Sequence, residues 1–144
     1  MDQLQFLPHV LALAAAYILA LPIAWDREKH ARSAGLRTFP LVALATCAFI
    51  QATEQAVGDS PEALARIVEG VIVGMGFIGG GAILKQDGAV VGTATAASLW
   101  VTGAMGLAVG LGSYDVAITI CVFTFLTLKV LPLFKQEKSE DDSA

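Results

Sequence analysis

Five tracts of this chain, residues 4–25, 39–53, 70–84, 88–114 and 116–128, contain no Asp, Glu, Lys or Arg. A hydrocarbon core about 30 Å thick needs roughly 20 apolar helical residues to cross it, and each tract has that length or extends to it. The tracts therefore predict an all-α fold, a polytopic membrane helical bundle of about five transmembrane helices. Composition agrees: the 144 residues are 56% hydrophobic and 15% charged, where soluble domains carry about a quarter charged residues.

Local signals set the helix ends at 6–25, 39–57, 61–84, 93–111 and 114–134. Ser60-Pro61 is an N-cap followed by proline at the first helical position, with Glu62 in the first turn. Asp87-Gly88 marks a tight turn, Gly110 and Gly112 part the fourth helix from the fifth, and Pro132 is expected to end the last helix. Pro22 is expected to kink or loosen the last turn of the first. Residues 1–134 read as one transmembrane domain and 135–144 as an acidic, disordered cytoplasmic tail.

The basic residues set the orientation. Arg27, Lys29, Arg32 and Arg37 fall in the first loop, Lys85 in the third, and Lys129, Lys135 and Lys138 towards the C-terminus. The positive-inside rule puts the odd loops and the C-terminus in the cytoplasm and the N-terminus outside. The first tract lacks a basic leader and a small-residue cleavage site, so it reads as a span and not as a signal peptide. Cys47 and Cys121 lie mid-span and read as small buried hydrophobes. The acidic balance comes largely from the tail and suggests no nucleic-acid partner.

The third tract holds six glycines in residues 70–81. At about 100° per residue, Gly70, Gly74 and Gly81 share one helix face, Gly76 and Gly80 a second, and Gly79 a third. Glycine on several sides predicts a central, enclosed helix packed in a bundle or homo-oligomer. The competing reading makes Gly79-Gly80-Gly81 a break that offers backbone carbonyls or amides to a cation or small solute. On the fourth helix Thr95, Ser98, Thr102 and Gly106 share one small, hydroxylated face, with Trp100, Leu107 and Leu111 in another sector. Such hydroxyls bond back to carbonyls one turn earlier or join two helices; the alternative is a polar face lining a passive path. Thr93 or Thr95 could cap this helix.

Asp26-Arg27-Glu28-Lys29 reads first as a topology signal at the headgroups, and second as a buried ion-pair latch with Arg37 or Lys85. Towards the outer side Arg66 and Glu69, three apart, can pair, and Glu69 sits a turn deeper. No ionisable group falls near the predicted midplane, which disfavours an ion-coupled pump. No enzyme signature is present: His9 and His30 fall near opposite faces, and Gly74-Met-Gly-Phe-Ile-Gly79 matches a dinucleotide fingerprint in letters but follows no strand. Neither a cofactor nor a metal-ligand set is read from the sequence.

Several motifs stand in a telling order: Asp26-Arg27-Glu28, Ala34-Gly35-Leu36-Arg37-Thr38, Arg66, Gly74-Met-Gly-Phe-Ile-Gly-Gly-Gly81 and Thr95-Ala-Ala-Ser-Leu-Trp100. In this order and spacing the chain resembles the membrane domain of the MgtC/SapB family from about Leu21 to Gly112. The resemblance implies a multi-pass protein of the bacterial inner membrane. In the better-known branch it implies survival under magnesium limitation and inside host cells, through proposed restraint of the F-type ATP synthase. Two departures stand out. The family's Gly-Leu-Glu-Arg-Glu reads Ala24-Trp25-Asp26-Arg27-Glu28, and Ala94 replaces an asparagine of that branch, a methyl for an amide. The expected function is regulation of ion or energy homeostasis by contact with a membrane-protein partner. The alternative is a passive transporter lined by residues 79–81 and the Thr95/Ser98/Thr102 face.

Overall fold

The structure, a computed structural model, describes residues 3–30, 34–58, 60–86 and 88–141. Five helices are joined by short connections: α1 (Gln3–His30), α2 (Thr38–Val57), α3 (Pro61–Gly81), α4 (Thr93–Gly110) and α5 (Tyr114–Asp141). Between α3 and α4 lies a small antiparallel hairpin, β1 (Leu84–Gln86) and β2 (Ala89–Val91), with Leu84 opposite Val91 and Gln86 opposite Ala89. Four helices are long and apolar enough to cross a membrane, and α2 contributes the shorter apolar stretch Thr38–Glu54. The 20 residues of α2 still reach about 30 Å at 1.5 Å rise.

The helices run alternately between two ends. One, the basic end, gathers Arg27, His30, Gln86 and Thr93 with the hairpin; the other gathers His9, Glu54, Ser60, Gly110 and Tyr114. The chain is an all-α polytopic bundle.

Helix starts follow the sequence more closely than helix ends. Ser60 is the N-cap of α3, its Oγ accepting the Ala63 N–H at 3.3 Å, with Pro61 next. Gly112 takes a positive φ of 76° where α4 turns into α5. Two helices outrun their expected ends. α1 continues past Trp25 to His30 with Pro8 and Pro22 inside it, and α5 continues past Phe134 with Pro132 inside it. A proline costs its helix one hydrogen bond and a local clash, which long flanking helical runs can absorb. Beyond Pro132 stand Gln, Glu and Lys, all good helix formers, so the segment assigned to the tail begins as helix. Arg32, Asp59, Asp87 and the last three residues lie outside the described residues.

The largest difference concerns the centre of the bundle. α3 was the expected central helix; α4 occupies that place. It packs on α1, α2, α3 and α5, most extensively on α2, and ten of its residues are buried. α3 packs chiefly on α4 and buries only Met75 and Gly79. The reason lies in where small residues face neighbours. A Cβ on Gly106 would strike the backbone of Ala43 and the hydroxyl of Thr46, and one on Gly110 would sit 2.9 Å from the Ile50 Cβ. Gly70, Gly74, Gly76, Gly80 and Gly81 have nothing within 4 Å of a Cβ. The glycines that let the α4 and α2 backbones approach are Gly106 and Gly110.

Candidate functional site

At the basic end Asp26 is fully buried, its side chain 0% exposed. A buried carboxylate needs charge partners and donors to offset its lost hydration. Arg27, also buried, folds back and donates to Oδ2 from Nε at 3.0 Å and from Nη2. Lys129 of α5 brings its ammonium to 3.0 Å from Oδ1, close enough for an ion pair. The ring of His30, one turn on, has Nδ1 2.8 Å from the Asp26 carbonyl oxygen and 3.5 Å from Oδ1.

Asp26 and Arg27 are thus brought together in the last turns of α1. The latch exists with different partners: Lys129 and His30 take the place of Arg37 and Lys85. Lys129 could have been suspected as a lone cation closing an apolar tract one turn before Pro132. Spacing alone could not pair it with Asp26.

Glu28 faces outward and accepts the Leu36 N–H at 2.8 Å, tying the connection before α2 to the end of α1. Arg37 is exposed at the mouth of a groove between α2 and α3. Beside the Asp26 cluster lies a cavity of about 390 Å³, lined by Arg27 and His30 of α1, Gln86 of the hairpin, and Thr93, Ala94 and Thr95. α4 begins there on Gly92 in the left-handed conformation, φ 89°, with no side-chain cap from Thr93 or Thr95. A side chain at Gly92 would collide with the Ala82 carbonyl, so glycine is required on two counts.

The hydroxyl face of α4 is turned inward. Thr95, Ser98 and Thr102 are all buried. Ser98 donates to the Ala94 carbonyl at 2.7 Å and Thr102 to the Ser98 carbonyl at 2.8 Å. Thr46 of α2 likewise donates to the Val42 carbonyl, at 3.0 Å. Only Thr95 of the three borders a described cavity, the one at the basic end. Trp100, 45% exposed, stands on the α3 side, its Cδ1 3.8 Å from a Cβ built on Gly79.

The break at Gly79-Gly80-Gly81 that the competing reading requires is absent: α3 is helical through Gly81. The Gly79 carbonyl accepts from the Ala82 N–H at 3.1 Å and the Gly80 carbonyl from Ile83 at 3.2 Å, so the helix closes on itself instead of presenting oxygens. Gly74, Gly76, Gly80 and Gly81 are exposed, on two faces of the helix, and Phe77 is 86% exposed. Between α2 and α3 lies an apolar groove of about 660 Å³, with Leu41, Ala45 and Phe49 on one wall and Gly70, Gly74 and Ile78 on the other. Glu69 is exposed, and among the described residues Arg66 makes no ion pair with it. Also among the described residues, no three His, Cys, Asp or Glu side chains cluster as metal ligands.

The chain is 39% identical over 128 residues to protein SrpB of Synechococcus elongatus, covering 81% of this chain and 70% of that one. It is 35% identical over 130 residues to the putative magnesium transporter YhiD of Escherichia coli K12, and 35% identical over 121 residues to protein MgtC of Salmonella typhimurium. Each match covers 84% of this chain, which spans 59% of YhiD and 51% of MgtC. No solved structure matches the chain. The model of the MgtC family matches residues 13–137, from the middle of α1 into the end of α5, and so takes in the Asp26 cluster, the α4 seam and the open glycines of α3. The chain belongs to the MgtC family.

Proposed function

We propose that the chain is a non-enzymatic protein of the bacterial inner membrane, with its N-terminus outside, that regulates ion homeostasis or energy balance by lateral helix contact. The contact face is the outward side of α3, and it takes a second copy of the chain or another membrane protein. The observation that carries this reading is the contrast between two sets of glycines. Gly106 and Gly110 of α4 meet the backbone of α2, whereas Gly70, Gly74, Gly76, Gly80 and Gly81 meet nothing within 4 Å of a Cβ. In lipid, close helix association depends on small residues because apolar side chains gain nothing by leaving the tails. A membrane helix that keeps five open glycines, each costing helix propensity, has a surface shaped for another helix. A magnesium connection is supported by one relative, the putative magnesium transporter YhiD.

The test is crosslinking and co-purification from membranes with Gly74→Leu and Gly80→Leu. Both variants should keep the fold, since space is open at each position, and should lose self-association or partner capture. If association survives both substitutions, the reading is wrong. Growth at limiting magnesium, compared between the same variants and the parent chain, tests whether contact and homeostasis are linked. The transporter reading has less support, because Ser98 and Thr102 bond to their own helix and the third helix is unbroken.

A further inference from the structure

The cavity of about 390 Å³ at the basic end has the start of α4 in its wall, with Gly92, Thr93, Ala94 and Thr95 all lining it. The Ala96 N–H is the first in that helix to reach a carbonyl, that of Gly92, at 2.8 Å. The N–H groups of Thr93, Ala94 and Thr95 precede it and have no partner among the described residues. Gly92 has no side chain with which to cap them. An 18-residue helix therefore points free donors, and the positive end of its dipole, at this cavity.

Two buried side chains add to these donors. Thr95 is 2% exposed, and of the described cavities it borders only this one. Ser98 and Thr102 turn their hydroxyls to carbonyls of their own helix, whereas that of Thr95 has no hydrogen bond among the described residues. Arg27 is 8% exposed and borders the same cavity. Its Nε and Nη2 hold Asp26, and its Nη1 has no partner among the described residues. His30, also in the lining, faces the Asp26 carbonyl oxygen with Nδ1, so Nε2 is free to donate when the ring is protonated. Asp26 is one carboxylate against two permanent cations, Arg27 and Lys129, which leaves the cluster with surplus positive charge. No acidic side chain occurs among the described lining residues.

Such a lining repels a cation and leaves its donors unsatisfied against an apolar ligand. A tetrahedral oxyanion accepts from a helix N-terminus, a guanidinium and a hydroxyl at once. We propose that this cavity binds a phosphate group, held by the N–H groups of Thr93, Ala94 and Thr95, the Thr95 hydroxyl and the Arg27 Nη1. In the orientation proposed above, the site faces the cytoplasmic side, where a soluble phosphate and an inner-leaflet headgroup offer the same chemistry. It contains none of the open glycines of α3, so it stands or falls separately from the function proposed above.

The experiment is saturation binding of radiolabelled orthophosphate to the purified chain in phosphatidylcholine nanodiscs. Sulfate, with the same tetrahedron of oxygens, should displace it, and chloride at matched ionic strength should not. A second arm adds phosphatidate to the discs and counts, by native mass spectrometry, the lipid that the chain retains. Orthophosphate binding that phosphatidate leaves intact assigns a soluble ligand; displacement by phosphatidate, or saturable retention of phosphatidate alone, assigns a lipid headgroup. Thr93→Asp sets a carboxylate in the first turn of α4, which suits the helix dipole and should preserve the fold. It should nevertheless weaken phosphate binding by about tenfold or more, and Thr95→Val, which removes one hydroxyl donor, by about fivefold. Thr93 is exposed, so its variant stays informative if the buried Thr95→Val folds poorly, and thermal unfolding identifies that case. The proposal is overturned if neither orthophosphate nor phosphatidate binds saturably to the parent chain, if chloride competes as well as sulfate, or if folded Thr93→Asp binds phosphate like the parent.

Discussion

The Lys129 ammonium lies 3.0 Å from the Asp26 carboxylate, joining the first helix to the fifth across more than a hundred residues of sequence. The two partners are unequally placed: the Asp26 side chain is fully buried, while that of Lys129 is 43% exposed. Removing each should therefore cost differently.

Asp26→Leu strips the buried counter-charge from Arg27 as well as from Lys129, and stability should fall by roughly 3 kcal/mol, as when one partner of a buried pair is removed. Lys129→Met leaves Asp26 with Arg27, and the loss should stay within about 1 kcal/mol, the range of partly exposed pairs. Unfolding in mixed micelles by added denaturing detergent measures both. Equal losses would show that Lys129 and not Arg27 neutralises Asp26.

Glycines of α3 and α4 should respond oppositely to a single methyl. Gly106→Ala drives a Cβ into the backbone of Ala43, and overpacking of this kind costs about 1–3 kcal/mol. Gly76→Ala enters open space and should be neutral or slightly stabilising for the monomer, since alanine is the better helix former by about 1 kcal/mol. Gly103→Ala should fall between them, because its obstacle is the flexible Met75 side chain. Thermal unfolding midpoints of the three variants give the order.

The start of α4 depends on a left-handed residue. Gly92→Ala must bear a positive φ, costing about 1–2 kcal/mol, in addition to the collision with Ala82. The hairpin and the first turn of α4 should loosen together. Faster amide exchange in β2 and at Ala96, whose N–H bonds to the Gly92 carbonyl, would register this, while exchange in α2 should be unchanged.

Glu28→Ala removes the acceptor of the Leu36 N–H. The pair is solvent-exposed, so the stability loss should be about 1 kcal/mol or less. The Leu36 amide should nevertheless exchange markedly faster. Glu28→Gln, which keeps a carbonyl oxygen at the same reach, should restore most of the protection.

The number of helices, their starts and the Ser60-Pro61 cap were legible because each rests on local chemistry: tract length, a capping hydroxyl, a proline, a glycine turn. The hairpin was half legible. Asp87-Gly88 announced the turn, but three-residue strands carry too little alternation to be read as strands. The end of α5 was misjudged because Pro132 read as a stop, and that of α1 because the charge-free tract ends at Trp25; both helices continue past those points. Which glycines meet neighbours could not be read at all. Periodicity groups Gly70, Gly74 and Gly81 on a face but does not say what lies opposite, so the open face of α3 was mistaken for an enclosed one. Lys129 was read only as a topology signal, and its pairing with Asp26 was missed for the same reason: a single polar residue in an apolar tract gains meaning only from what tertiary packing sets beside it.

The seam between α4 and α2 also bears on how the chain is made. Synthesis delivers helices in order, and α4 emerges carrying the buried hydroxyls of Thr95, Ser98 and Thr102 and three glycines, which suit a protein neighbour better than lipid tails. By then Ala43, Thr46 and Cys47 of α2, the surface against which Gly106 and Gly110 fit, are already in the membrane. The least self-sufficient span thus meets its partner on arrival, and α5, the last to be translated, closes the remaining flank.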